Sequence, residues 1–85
     1  MSGQIEMEHR PLHEIALEIG QDWKKIYFGA VPYLNAMETL NSIKDKFYFD
    51  TAETIVIYFL ANAQTWRGET ARRIKKELNQ MLKLK

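Results

Sequence analysis

Apolar side chains recur at steps of three and four in four stretches of this chain, and that spacing restricts the fold more than any other feature. Leu12, Ile15, Ala16, Ile19 and Trp23 form the first stripe. An α-helix brings such positions to one face, whereas a strand needs a period of two. Val31, Leu34, Met37, Leu40 and Ile43 form the second, widened by Tyr33 and Ala36. The third runs through Ile55, Val56, Tyr58, Phe59, Leu60, Ala63 and Trp66, and the fourth through Ala71, Ile74, Leu78, Met81 and Leu82. With 85 residues and 46% hydrophobic content, the chain has material for one small core and no second domain. The expected fold is all-α: a compact bundle of about four short helices, spanning residues 11–85, behind a disordered head of residues 1–10.

Local signals set the expected helix ends. Pro11 and Pro32 suit first turns, where a missing N–H costs nothing. Gly20 weakens the first helix by about 1 kcal/mol relative to alanine, yet the stripe continues past it to Trp23. Lys24 and Lys25 suit its C-terminal end. Asp50 followed by Glu53 has the spacing of a capping box and predicts Asp50 as the cap of the third helix, without the usual apolar staple. That helix is apolar around more than half its circumference and is expected to be packed on two sides. Thr65 and Gly68 are alternative openings for the fourth. Phe47, Tyr48 and Phe49 favour a strand by propensity. With no second strand in view, they are expected to form an apolar loop that plugs one end of the bundle.

Several chemistries fall away. No cysteine is present, so disulfides, thiolate metal sites and cysteine nucleophiles are excluded. His9 and His13 have the spacing of two metal ligands on a helix, but Pro11 lies between them and no third ligand accompanies them. No metal or other cofactor is expected. Glu14, Glu18 and Asp22 form a carboxylate row opposite the apolar stripe, which reads as a solvated face rather than an acid–base pair. Gly3, Gly20, Gly29 and Gly68 are too scattered for a phosphate loop. Nothing assembles a catalytic set, and the chain reads as non-enzymatic. No apolar stretch reaches the length of a membrane span or follows the pattern of a secretion signal, which sets the expectation of a cytoplasmic protein without a membrane partner.

Two surpluses remain. From Arg67 to Lys85 the chain carries seven cations against two acids, while the formal net charge of the whole is only +1. A positive helix of this kind can meet phosphates, with Arg67, Arg72, Arg73, Lys75 and Lys76 as the candidate nucleic-acid contacts and Trp66 as a stacking group if exposed. The opposing reading is an ordinary solvated helix whose charges are neutralised by neighbours: Glu69 with Arg72 or Arg73, and Arg73 with Glu77. A helix-turn-helix is disfavoured, because Ala63 to Gly68 is too loose for its tight turn. The second surplus is aromatic: ten Phe, Tyr and Trp residues are more than four short helices can hide. Tyr27, Phe28, Tyr33, Phe47, Tyr48, Phe49 and Trp66 lie near element ends and are the candidate interface with another protein or a second copy of the chain.

Three runs also carry a family resemblance. Asp22, Trp23, Lys24, Lys25 followed by Tyr27, Phe28, Gly29, Ala30, Val31, Pro32, Tyr33 and Leu34 is the first. Tyr58 to Ala63 is the second, and Thr65, Trp66, Arg67, Gly68, Glu69, Thr70, Ala71, Arg72, Arg73, Ile74, Lys75 the third. Over residues 12–83 the pattern resembles small proteins encoded by phages and prophages of Gram-positive bacteria. The resemblance implies a mobile-element accessory protein and assigns no functional residue. The aromatic surplus without a catalytic set makes the expected function a helical protein-interaction module, with sequence-independent nucleic-acid binding through the basic helix as the alternative.

Overall fold

The structure, a computed structural model, describes residues 10–84. Four α-helices account for most of these: α1 Leu12–Asp22, α2 Val31–Met37, α3 Ala52–Ala61 and α4 Glu69–Leu84. A 3-10 turn, Phe28–Ala30, leads into α2, and two short strands, β1 Lys46–Phe47 and β2 Asp50–Thr51, form an antiparallel hairpin ahead of α3. The main helix contacts run α1 to α2, α2 to α3, α3 to α4 and α4 back to α1. All four apolar stripes meet in the middle. Leu12, Ile15, Ile19, Met37, Val56, Phe59, Ile74 and Leu78 are completely buried, and no charged or polar residue is fully buried with them among the described residues.

The helix ends are held by interactions that spacing alone does not reveal. Pro11 precedes α1 and offers no side-chain cap. Instead, the N–H groups of Leu12 and His13 donate to the carbonyls of Asn41 and Leu40, both at 2.9 Å. Two of the orphan donors of a helix start are thus satisfied by the loop after α2. That loop is shaped by Asp45, whose carboxylate accepts from the Asn41 and Ser42 N–H groups. Those donors, Ser42 first, hold the Asp45 carboxyl below its usual range. Thr51, rather than Asp50, caps α3: its hydroxyl accepts from the Thr54 N–H at 3.1 Å. Asp50 belongs to the hairpin, where it pairs with Phe47, and the start of the helix shifts by one residue. Gly68 opens α4 with φ 114°, a conformation that side chains oppose, and its carbonyl accepts from the Arg72 N–H.

The second helix stops at Met37, short of Leu40 and Ile43. The first helix stops at Asp22, and Trp23 turns into extended backbone with φ −90° and ψ 93°, so Lys24 and Lys25 lie beyond it. The turn swings the Trp23 ring against α3 and the segment before α4. Phe47, Tyr48 and Phe49 do not plug the bundle. Phe47 alone is half-buried against the core, while Tyr48 and Phe49 form the two-residue tip of the hairpin and point outward.

Candidate interaction surfaces

The aromatic surplus divides into an internal and an external set. Inside, Trp23 and Trp66 stack with centroids 5.7 Å apart, and Phe59 meets both edge-on, at 6.2 and 6.4 Å. Offset stacking and edge contacts of this kind add to the burial of three large rings. Trp66 is 2% exposed, which removes it from both the candidate interface and the candidate stacking surface. Its indole N–H donates to Asp22 Oδ2 at 2.8 Å, and its carbonyl accepts from Lys75 Nζ at 2.7 Å. The sequence offers Trp66 both as the end of the third apolar stripe and as a ring exposed in a helix break, and the fold takes the first. The Trp66 N–H to Ala63 carbonyl turn folds the break back over the core.

Outside, the hairpin tip is the most exposed apolar feature. Tyr48 is 85% exposed and Phe49 fully so. Because Phe47 pairs with Asp50, the loop between the strands holds only these two residues. Tyr48 takes φ 58°. Tight hairpins need a positive φ at the first loop position, which is why Gly and Asn dominate there; a tyrosine raises the energy by about 1–2 kcal/mol. Tyr48 rests edge-on against Phe47, with centroids 4.7 Å apart.

A second aromatic group surrounds the turn between α1 and α2. Phe28 is 79% exposed, and its ring lies 4.9 Å from that of Tyr27. Gly29 permits this turn to approach the end of α3. A Cβ there would fall 2.6 Å from the Tyr27 ring and 2.7 Å from Asn62 Oδ1. Tyr27 then borders a cleft with Ala61, Asn62, Gln64 and Thr65. Tyr33 is half-buried and touches Tyr58 of α3 at 5.5 Å. Tyr58 and Ile57 are about half exposed. Tyr58 belongs to the third apolar stripe yet lies partly outside the core, because a ring of four helices leaves part of α3 exposed.

The basic helix is less uniformly available than its sequence suggests. Arg73 pairs with Glu18 of α1 rather than with its helical neighbours. Glu77 pairs with Arg10, whose guanidinium donates twice to that carboxylate, at 2.8 and 3.2 Å, and once to Glu18 at 2.7 Å. Arg10, grouped by sequence with the head, thereby ties the chain before α1 to α4. Arg73 and then Arg10 hold the Glu18 carboxyl below its usual range, and the two glutamates raise the Arg10 guanidinium. The carboxylate row is thus only partly idle: Glu14 is solvated, Glu18 is ion-paired and Asp22 receives Trp66. Lys75 lies 5.8 Å from the centre of the Trp66 ring, and burial, with Arg67 nearby, lowers its pKa. Arg67, Arg72 and Lys76 are exposed and enter no ion pair among the described residues.

His13 is exposed and His9 lies outside the described residues; among those described, no group of three His, Asp or Glu residues is arranged to hold a metal. No described helix is long and apolar enough to cross a membrane. Compared with protein-family models, curated proteins and solved structures, the chain matches none of them.

Proposed function

We propose that this chain is a non-enzymatic interaction module that engages another protein, or a second copy of itself, through the Tyr48–Phe49 hairpin tip. One observation carries the reading: two large aromatics occupy a loop where smaller residues fit with less strain, and neither ring contributes to the core. Local rules of this kind are broken where a binding role compensates. Phe28 and Tyr27 offer a second aromatic contact at the α1–α2 turn. Aromatic side chains supply the anchors of most protein interfaces, because they bury large area with few rotatable bonds. The broader assignment, an accessory protein of a phage or prophage, is supported by the residue pattern between Asp22 and Lys75, and its cytoplasmic location by the lack of a membrane-spanning or secretion pattern in the sequence.

The test is a double substitution, Tyr48→Gly with Phe49→Ser, which installs a turn sequence favoured in tight hairpins. Sedimentation velocity across a concentration series measures self-association. For a different partner, a photo-crosslinking residue at the exposed position 46, beside the tip and unchanged in the double variant, measures capture of one defined protein in the cell. The proposal expects at least one of these contacts in the parent chain and its loss in the double variant. A parent chain that is monomeric at millimolar concentration and yields no defined adduct contradicts it.

A further inference from the structure

A second binding surface emerges once the engaged cations are set aside. Arg73 is neutralised by Glu18, and Lys75 is held at the Trp66 carbonyl. Of the cations within α4, this leaves Arg72, Lys76 and Lys83, all exposed and free of ion pairs among the described residues. At about 100° per residue, these three fall within roughly 40° of one another around the helix axis. Ala71, Ile74, Leu78 and Met81 fill the opposite side and face the core. The three cations therefore form a straight row on the outer edge of the bundle, about 16 Å from first to last. Gln80 lies beside the row and adds an amide donor, while the Asn79 amide is held at the Lys75 carbonyl. Glu69, three residues before Arg72, is the acid on this side, and the other acid of α4, Glu77, is paired with Arg10.

We infer that this row binds the phosphodiester backbone of a nucleic acid without regard to base sequence. A row of about 16 Å is long enough for its three cations to meet separate phosphates of one duplex. Lysine, arginine and side-chain amides are the groups that contact phosphate oxygens. A lipid surface fits less well, because an interfacial helix must also insert an apolar face, and that face of α4 is already buried in the core. A protein partner fits less well too: lysine is depleted from interface cores, and no aromatic anchor lies in the row. The inference is independent of the hairpin tip. It replaces Arg73 and Lys75 as phosphate contacts and adds Lys83, which lies beyond the cluster singled out from sequence.

Fluorescence anisotropy with a labelled 20-base-pair duplex, at several salt concentrations, tests it directly. Three phosphate contacts predict a log–log salt slope of about −2.7, or about a 40-fold loss of affinity between 50 and 200 mM salt. Two duplexes of unrelated sequence should bind within about twofold of each other, as a backbone-only contact requires. The triple variant Arg72→Gln, Lys76→Gln, Lys83→Gln keeps good helix formers and should lose binding, with its fold verified by circular dichroism. Lys76→Gln alone should move the slope to about −1.8, whereas Arg73→Gln should leave it near the parent value. The inference is overturned by an absence of duplex binding at 20 mM salt, by a triple variant that binds as the parent does, or by equal weakening in Arg73→Gln and Lys76→Gln. Binding to phosphatidylserine vesicles without binding to the duplex overturns it as well.

Discussion

Trp66 and Phe49 each sit three residues ahead of a helix, yet one is buried and the other fully exposed. The difference lies in what the backbone does before each helix. Ahead of α4, a turn from Ala63 and the left-handed Gly68 fold the chain inward, and Trp23 and Phe59 receive the indole. Ahead of α3, a two-residue hairpin loop carries Phe49 away from the core before Thr51 caps the helix. Aromatic content alone therefore does not measure core size. The polar atom follows the same logic: the buried Trp66 has its N–H satisfied by Asp22, while the Tyr48 ring lies in solvent.

The sharpest way to break the comparison is truncation of the internal ring. Trp66→Ala should cost about 3–5 kcal/mol in urea denaturation, enough to unfold much of a domain this small. A loss under about 1 kcal/mol would place Trp66 outside the cooperative core. Next in size is the turn that brings Trp66 inward. Gly68→Ala should cost about 1–2 kcal/mol, because φ 114° is strained for any side chain, and the same denaturation experiment reads it.

A smaller effect concerns the ion pairs that close α1 onto α4. Arg10→Ala should cost about 0.5–1 kcal/mol, since both partners are partly exposed, and the cost should shrink at 1 M salt. The pH dependence has a defined sign. Glu18 is held below its usual range in the fold, so its contribution is fully present above about pH 4.3 and disappears as pH falls through the depressed value. Thermal melts between pH 6 and 3 should show a shallower acid loss in Glu18→Gln than in the parent chain.

The four helices were legible because burial imposes a period on the sequence: Ile15, Leu34, Ile55 and Ile74 all belong to stripes and all are buried. The ends were less legible, because they depend on partners distant in the chain. Nothing near Leu12 announces that the Asn41 carbonyl will receive its N–H, and nothing near Arg73 favours Glu18 over Glu77. The hairpin was hidden for a related reason, since two paired residues per strand leave no alternation to detect. Among the candidate site residues, the exposure of Phe28, Tyr48 and Phe49 was legible from their place between elements. The same rule fails for Trp66, which follows its place in the third stripe instead, because the turn that buries it acts through backbone geometry.

We expect the hairpin aromatics to be dispensable to the fold and the internal aromatics to be essential to it. The urea midpoint of the Tyr48→Gly, Phe49→Ser double variant tests it most directly. Removing a strained left-handed tyrosine and a solvated phenylalanine should leave the midpoint unchanged or raise stability by up to about 1 kcal/mol. A fall of about 2 kcal/mol or more, the scale of a truncated core residue, would show that the tip is part of the interior's support and contradict the account.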